Sequence, residues 1–170
     1  DKMGVVLNYG ATPLVKSRYL DKICKEQHPY GENVIAAIMC YGGYNVEDSI
    51  LFNEASIKRG LFGTTYYNSY ETREESSKVG MTSVDTVFAN IEKSNVIGKK
   101  PGYDYSELDE FGMIKENTPL TEKTILVGRT TSDPIGEGPS RDASIAPKKG
   151  QLGFVDKTFI TEGEEGFRIA

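Results

Sequence analysis

Two adjacent carboxylates, Glu47 and Asp48, stand at the tip of segment 33–63, NVIAAIMCYGGYNVEDSILFNEASIKRGLFG, and are the residue types hardest to explain there by packing. On extended backbone, successive side chains point to opposite sides. The two acids are then poorly placed to face each other across one bond, as glycoside hydrolysis requires. Raised on a turn at Gly42-Gly43, neighbouring acids instead favour a cation or a metal-bound phosphate. In two-metal phosphoryl or nucleotidyl transfer, carboxylates hold magnesium and magnesium holds the triphosphate. A solvated acidic turn has the same composition, and most surface carboxylates do nothing measurable. On these two residues alone both readings stand.

Other chemistries find less support. His28 is the sole histidine, between Gln27 and Pro29, and the only cysteines are Cys24 and Cys40. A Cys/His zinc site or a Ser-His-Asp triad is therefore improbable, and the cysteines read as reduced thiols of an intracellular protein. Gly42-Gly43 lacks a following Gly-Lys-Ser/Thr. Gly98-Lys99-Lys100 lacks the upstream glycine and the hydroxyl, so no Walker loop is present. Lys58-Arg59, Lys99-Lys100, Arg129, Arg141 and Lys148-Lys149 are potential phosphate contacts, which would position nucleic acid without reading sequence. A net charge of −5 argues against coating nucleic acid by the whole surface. Tyr66, Tyr67 and Tyr70 could stack bases, although tyrosines in a β-rich chain more often pack.

The elements that would position these residues are short. The chain has 170 residues, 38% hydrophobic and 26% charged, enough for one domain or one and a part. It contains neither an apolar run long enough to span a bilayer nor a secretory signal, so a soluble chain is expected, and its start and end suggest a piece of a longer protein. Val34–Cys40, apolar on both alternating faces, is expected to be a covered central strand, with Ile50–Phe52 as the returning strand: two buried arms raising the tip. Asn53 is expected to cap a brief helix through Lys58 that Gly60 closes. Strands are expected in 61–70, near Thr86–Ala89 and in short pieces over 108–127. A weak helix is expected over 15–25, a turn at 28–31 and another at 99–102. Segment 71–78 reads as a solvated connector and 130–149 as a long loop, with a hairpin around 162–166.

The central motif, Gly43-Tyr44-Asn45-Val46-Glu47-Asp48-Ser49, with Asn33–Tyr41 before it and Arg59-Gly60-Leu61-Phe62 after it, resembles the second-largest (β-type) subunit of multisubunit DNA-directed RNA polymerases. The resemblance extends to Pro13-Leu14-Val15, Leu108–Ile114, Val127–Thr130 and Arg141–Ser144, and is nearer the eukaryotic, archaeal and large-DNA-virus branch. It implies a mainly β fold with short helices, part of a double-psi β-barrel hybrid-binding region. Residues 1–70 would carry the active-centre tip, 71–130 a barrel-sandwich-like insertion, and 131–170 a return to the hybrid-binding domain. It further implies that Glu47 and Asp48 act near the incoming triphosphate and the second magnesium, indirectly through water or phosphate, with the tightly held Mg2+ on the largest subunit. Lys58, Arg59 and Arg141 become candidate nucleic-acid contacts. The implied partners are the largest and other polymerase subunits, DNA template, RNA-DNA hybrid and nucleoside triphosphates, without zinc or membrane, in the nucleus, cytoplasm or a viral factory. Gly63 stands where a basic residue is common, and Gly42 where a small polar one is. The family's lysine-bearing Gly-Asp-Lys and Gly-Gln-Lys-Gly motifs would follow Ala170, so the chain alone is expected to be inactive. A non-catalytic β-rich docking module is the alternative.

Overall fold

A computed structural model describes residues 2–23 and 30–170 as two compact units, 1–69 and 70–170. The regular structure as a whole is mainly β, with few and short helices; among the described residues both α-helices lie in the first unit. The expected turn at 28–31 and the end of the helix expected over 15–25 fall largely outside the described residues. Among the described residues no helix is long and apolar enough to cross a membrane.

In the first unit, β1 (Met3–Leu7) pairs antiparallel with β2 (Thr64–Asn68), Val5 opposite Tyr66. No element is expected from the sequence at β1, where Gly4 and Gly10 punctuate a mixed stretch. Among the described residues helix α1 spans Leu20–Ile23. Helix α2 (Glu54–Lys58) begins and ends as its caps dictate. The Ser56 amide donates to Asn53 Oδ1 at 2.9 Å, satisfying an N-terminal donor. At the other end Gly60 has φ 108. Its amide donates to Ile57 O at 2.9 Å, and the Leu61 amide to Ser56 O at 3.0 Å. This is the paired closure of a Schellman cap. The Tyr9 ring lies where a Cβ on residue 60 would sit, 2.5 Å away, so glycine is required twice over.

The two arms expected to be buried are not. Val34–Cys40 runs without a strand partner among the described residues, with Ile35 and Ile38 fully exposed, and Ile50–Phe52 forms no strand either. An apolar pattern reports that a segment favours cover. It does not supply the partner ladder that makes a strand, and that ladder is non-local. The segment is held instead at its start, where Asn33 accepts from the Leu14 amide (2.8 Å) and donates to Thr12 O (3.0 Å).

The second unit holds a five-stranded sheet. Strands β3 (Glu75–Val79), β4 (Thr82–Phe88), β5 (Val96–Ile97), β6 (Arg129–Thr131) and β7 (Ser140–Asp142) lie in the order β3-β4-β6-β7-β5, antiparallel except for the parallel β5–β7 pair. The core is Phe88, Ile91, Tyr105, Leu108, Met113, Ile114, Ile125, Leu126, Val127 and Val155. The rhythm over 108–127 supplies most of it through turns and isolated bridges such as Leu108 with Ile114 and Met113 with Val127. The turn at 99–102 forms, the Tyr103 amide donating to Lys100 O. Strands β8 (Thr161–Glu162) and β9 (Arg168–Ile169) make the expected hairpin.

Two expectations are corrected here. Segment 130–149 is not one loop, since β6 ends and β7 lies within it. Of its buried positions, Thr130, Ser144 and Pro147, two are polar and hydrogen-bonded, which is why few apolar residues mark it. Segment 71–78 is not a connector, since it carries β3 and the buried Glu74. Glu74 Oε1 accepts from the Phe88 amide (3.0 Å) and from Arg168 Nε and Nη2 (3.0 and 2.6 Å), and Oε2 accepts from the Arg168 amide (3.1 Å). The Arg168 guanidinium also lies over the Phe88 ring.

Burial raises the Glu74 pKa, but the Arg168 side chain, the two backbone amides and the Arg168 charge together outweigh it and hold the carboxyl below its ordinary 4.5. A carboxyl with a lowered folded-state pKa contributes stability above its unfolded pKa and loses it as pH falls through the folded value. Acid unfolding of the second unit is therefore expected to steepen below about pH 4.5. Glu74→Gln should flatten that limb and cost about 2 kcal/mol at neutral pH, read by denaturant titration at several pH values. An acid limb identical in both proteins would refute the role.

Candidate functional site

The tip consists of two tight turns in succession. In the first, the Tyr44 amide donates to Tyr41 O at 3.2 Å, with Gly42 and Gly43 at φ 58 and 74. In the second, the Ser49 amide donates to Val46 O at 3.3 Å, with Glu47 and Asp48 at φ 51 and 66. Positive φ at both central residues marks type I′ turns. Glycine adopts that backbone freely. For other residues it costs roughly 1–2 kcal/mol each, less for Asp, whose short polar side chain tolerates it. Glu47 and Asp48 thus stand on a turn, as the tip reading expects, and on strained left-handed backbone within it. Residues held this way cluster at functional sites.

Asn45 connects the two turns. Its Oδ1 accepts from the Tyr41 amide (3.0 Å) and its Nδ2 donates to Met39 O (2.5 Å), so one side chain clamps the chain on both sides of Cys40. The clamp turns the chain before Val46 and leaves two residues to turn it again. From the sequence alone Asn45 has a place in the motif and no role of its own. Asparagine's capacity to donate and accept locally is the signal that could have found it. Asn45→Asp removes the donor to Met39 O. Faster hydrogen exchange at the Tyr44 and Ser49 amides is expected, by about 10-fold for the loss of one net hydrogen bond. Unchanged exchange would show that the clamp is incidental.

Both carboxylates are exposed, and among the described residues neither has a hydrogen-bond or ion-pair partner. No group of three or more His, Cys, Asp or Glu able to hold a metal occurs among the described residues. Two hard oxygen donors side by side suit a magnesium ion that keeps waters and phosphate in its shell, without enclosing it.

The basic candidates divide differently. Lys58 and Arg59 come together at the end of α2, but Lys58 Nζ is paired with Glu54 at 2.6 Å and Arg59 Nη2 reaches Ser56 Oγ at 3.5 Å. Arg141, on β7 in the other unit, is exposed with no ion-pair partner among the described residues. Arg129 is taken up structurally, donating to Ala143 O, Thr72 Oγ1 and Arg73 O. The Tyr70 hydroxyl is likewise occupied, donating to Gln151 Oε1 and accepting from the Lys148 amide. Cys40 is exposed and unbridged.

The family model described as RNA polymerase Rpb2, domain 6, matches residues 1–170. The chain is similar to DNA-directed RNA polymerase II subunit 2 of Arabidopsis thaliana, 35% identical over 176 residues, covering 99% of this chain and 14% of the relative. It is similar to DNA-directed RNA polymerase II subunit RPB2 of Schizosaccharomyces pombe, 33% identical over 178 residues, covering 99% and 14%. With DNA-directed RNA polymerase subunit Rpo2 of Saccharolobus solfataricus it shares 31% identity over 177 residues, covering 99% and 15%. The chain therefore spans only 14–15% of the length of these curated relatives.

Proposed function

The chain belongs to the RNA polymerase Rpb2, domain 6, family, and from that membership we propose that it works as part of the second-largest subunit of a DNA-directed RNA polymerase, its tip forming one wall of a shared active centre. The observation that carries this reading is the backbone at Glu47 and Asp48, two carboxylates with no partner among the described residues, held adjacent in left-handed conformation on the Gly43–Ser49 motif. Strain of that kind is maintained where a geometry is needed. In this reading the two acids orient the incoming nucleoside triphosphate and the waters around its magnesium, while Asn45 keeps the tip from relaxing. Magnesium bound with the triphosphate would neutralise charge that builds on the leaving pyrophosphate.

Residues 1–70 and 131–170 are assigned to a double-psi-barrel hybrid-binding region and 71–130 to its barrel-sandwich-like insertion. The other polymerase subunits, template DNA and the RNA-DNA hybrid are the partners, Lys58 and Arg59 are candidate phosphate contacts, and the chain alone is inactive. Its location follows the assembly, the nucleus in a eukaryote and the cytoplasm in an archaeon. The exposed apolar run Val34–Met39 favours a second reading, a docking module whose acidic tip is merely solvated. Nucleotide addition by the assembled enzyme across a magnesium titration, with Glu47 and Asp48 altered, separates the two. Rates independent of the tip at every magnesium concentration would leave only docking.

A further inference from the structure

Phe62 touches the chain on both sides of the tip. Its amide donates to Glu32 Oε2 at 2.9 Å, where the chain enters the tip segment 30 residues upstream. Its ring meets the Phe52 ring edge to face, centroids 5.7 Å apart and planes at 88°, where the chain leaves it. Between these points every residue of 33–52 is exposed except the half-buried Asn45. The two turns and the Asn45 clamp hold that stretch to itself and to nothing else in the fold. A stretch with so little cover takes its position from its ends. The entry is fastened on its other side as well, the Ala11 amide donating to Gly31 O at 2.9 Å and Asn33 bonding Leu14 and Thr12. Only the Glu32 bond, among those described, joins the entry to the residue that also meets the exit.

Two features of this junction are unfavourable by themselves. Phe62 has φ 57, a conformation rare for a bulky side chain. Glu32 Oε1 is buried and has no hydrogen-bond partner among the described residues, which disfavours a carboxylate oxygen. Strain of this kind persists where the geometry it holds is used. Glu32 has no ion pair among the described residues, so what the position contributes is the acceptor at Oε2 and not the charge. We propose that Glu32 is a positioning residue for the tip: by fastening the entering chain to Phe62, whose ring meets the leaving chain, it sets where Glu47 and Asp48 stand toward the nucleotide. The proposal rests on the reading of the tip as one wall of an active centre.

The test measures nucleotide addition by the assembled enzyme across a magnesium titration, with Glu32→Ala made alone and together with Glu47→Ala and Asp48→Ala. Alone, it is expected to slow addition about 3- to 10-fold, the range of one net hydrogen bond, and to move the magnesium dependence in the same direction as loss of the two acids. Glu32→Gln keeps an acceptor and should restore the wild-type rate. Once the acids are gone, Glu32→Ala should slow addition by less than about 2-fold more, because groups that act as a unit are not additive. A merely structural role lowers the active fraction and multiplies with any other loss. Losses that multiply therefore overturn the proposal. So does a wild-type rate for Glu32→Ala beside a slow acid-pair variant, an outcome that leaves the active-centre reading standing. A wild-type rate for the acid-pair variant overturns that reading and this proposal with it. If Glu32→Ala does not assemble, Phe52→Leu decides, since it loosens the same junction from the exit side and leaves the Glu32 bond in place. A loss there that multiplies with that of the acid pair, or no loss, overturns the proposal.

Discussion

Replacing Glu47 and Asp48 together with Ala is expected to slow nucleotide addition by the assembled polymerase about 10- to 100-fold and to move the magnesium dependence to higher concentration. That is the range for removing groups that act on a metal through water or phosphate. The loss should be partly recovered at high magnesium if, as proposed, the acids raise local occupancy without enclosing the ion. Charge and backbone can be separated at this site. Asn tolerates the left-handed conformation about as well as Asp, so Asp48→Asn removes charge and keeps the turn. Glu47→Gly removes charge and relieves strain. If charge is what matters, both should be slow; if only the held geometry matters, Asp48→Asn should be near wild type. Elongation rates equal to wild type throughout the titration would end the assignment.

The largest effect on stability is expected at Gly128. A Cβ there would lie 2.2 Å from Ala89 O, 3.0 Å from Leu108 Cδ1 and 3.2 Å from Ile91 Cγ1. Its neighbour Gly112, at φ 81, is as tightly placed, 2.6 Å from Ala89 O and 2.8 Å from Gly128 O. Three backbone segments meet here, since the Gly128 amide donates to Gly112 O at 2.7 Å and the Ala89 amide to Gly128 O at 3.0 Å. A carbonyl cannot rotate out of the way as a side chain does, so the segments would have to part. Gly128→Ala should destabilise the second unit by about 3–5 kcal/mol, beyond the usual cost of overpacking. Gly80→Ala is the control. Residue 80 also has positive φ, 67, but open space around its Cβ, so only about 1 kcal/mol of backbone strain is expected. Equal losses for the two variants in denaturant unfolding would refute the close-packing account.

Several local features were legible because their causes lie within a few residues. Asn53 and Gly60 bracket α2 through bonds spanning three to five positions, and Gly42-Gly43 can only mean a turn that accepts positive φ. The hairpin at β8 and β9 is of the same kind. What failed depended on distant partners. Composition makes Glu74 a surface acid, yet its guanidinium partner is 94 residues away, at Arg168. Arg129 and Arg141 read alike, but Arg129 is tied to Thr72, 57 residues upstream, while Arg141 is left unpaired among the described residues.

By itself the sequence determined the family resemblance, the mainly β character and the identity of the two acids at the tip, because motif order and turn residues are properties of the chain. The tertiary structure decided the rest. Glu47 and Asp48 lie on left-handed backbone behind the Asn45 clamp, Arg129 is taken up in hydrogen bonds while Arg141 has no ion-pair partner among the described residues, and Gly128 has no room for a methyl group. Handedness under a clamp, charge left over after pairing, and space left over after packing are each set by what else arrives at the same place, and periodicity along one segment carries no record of it.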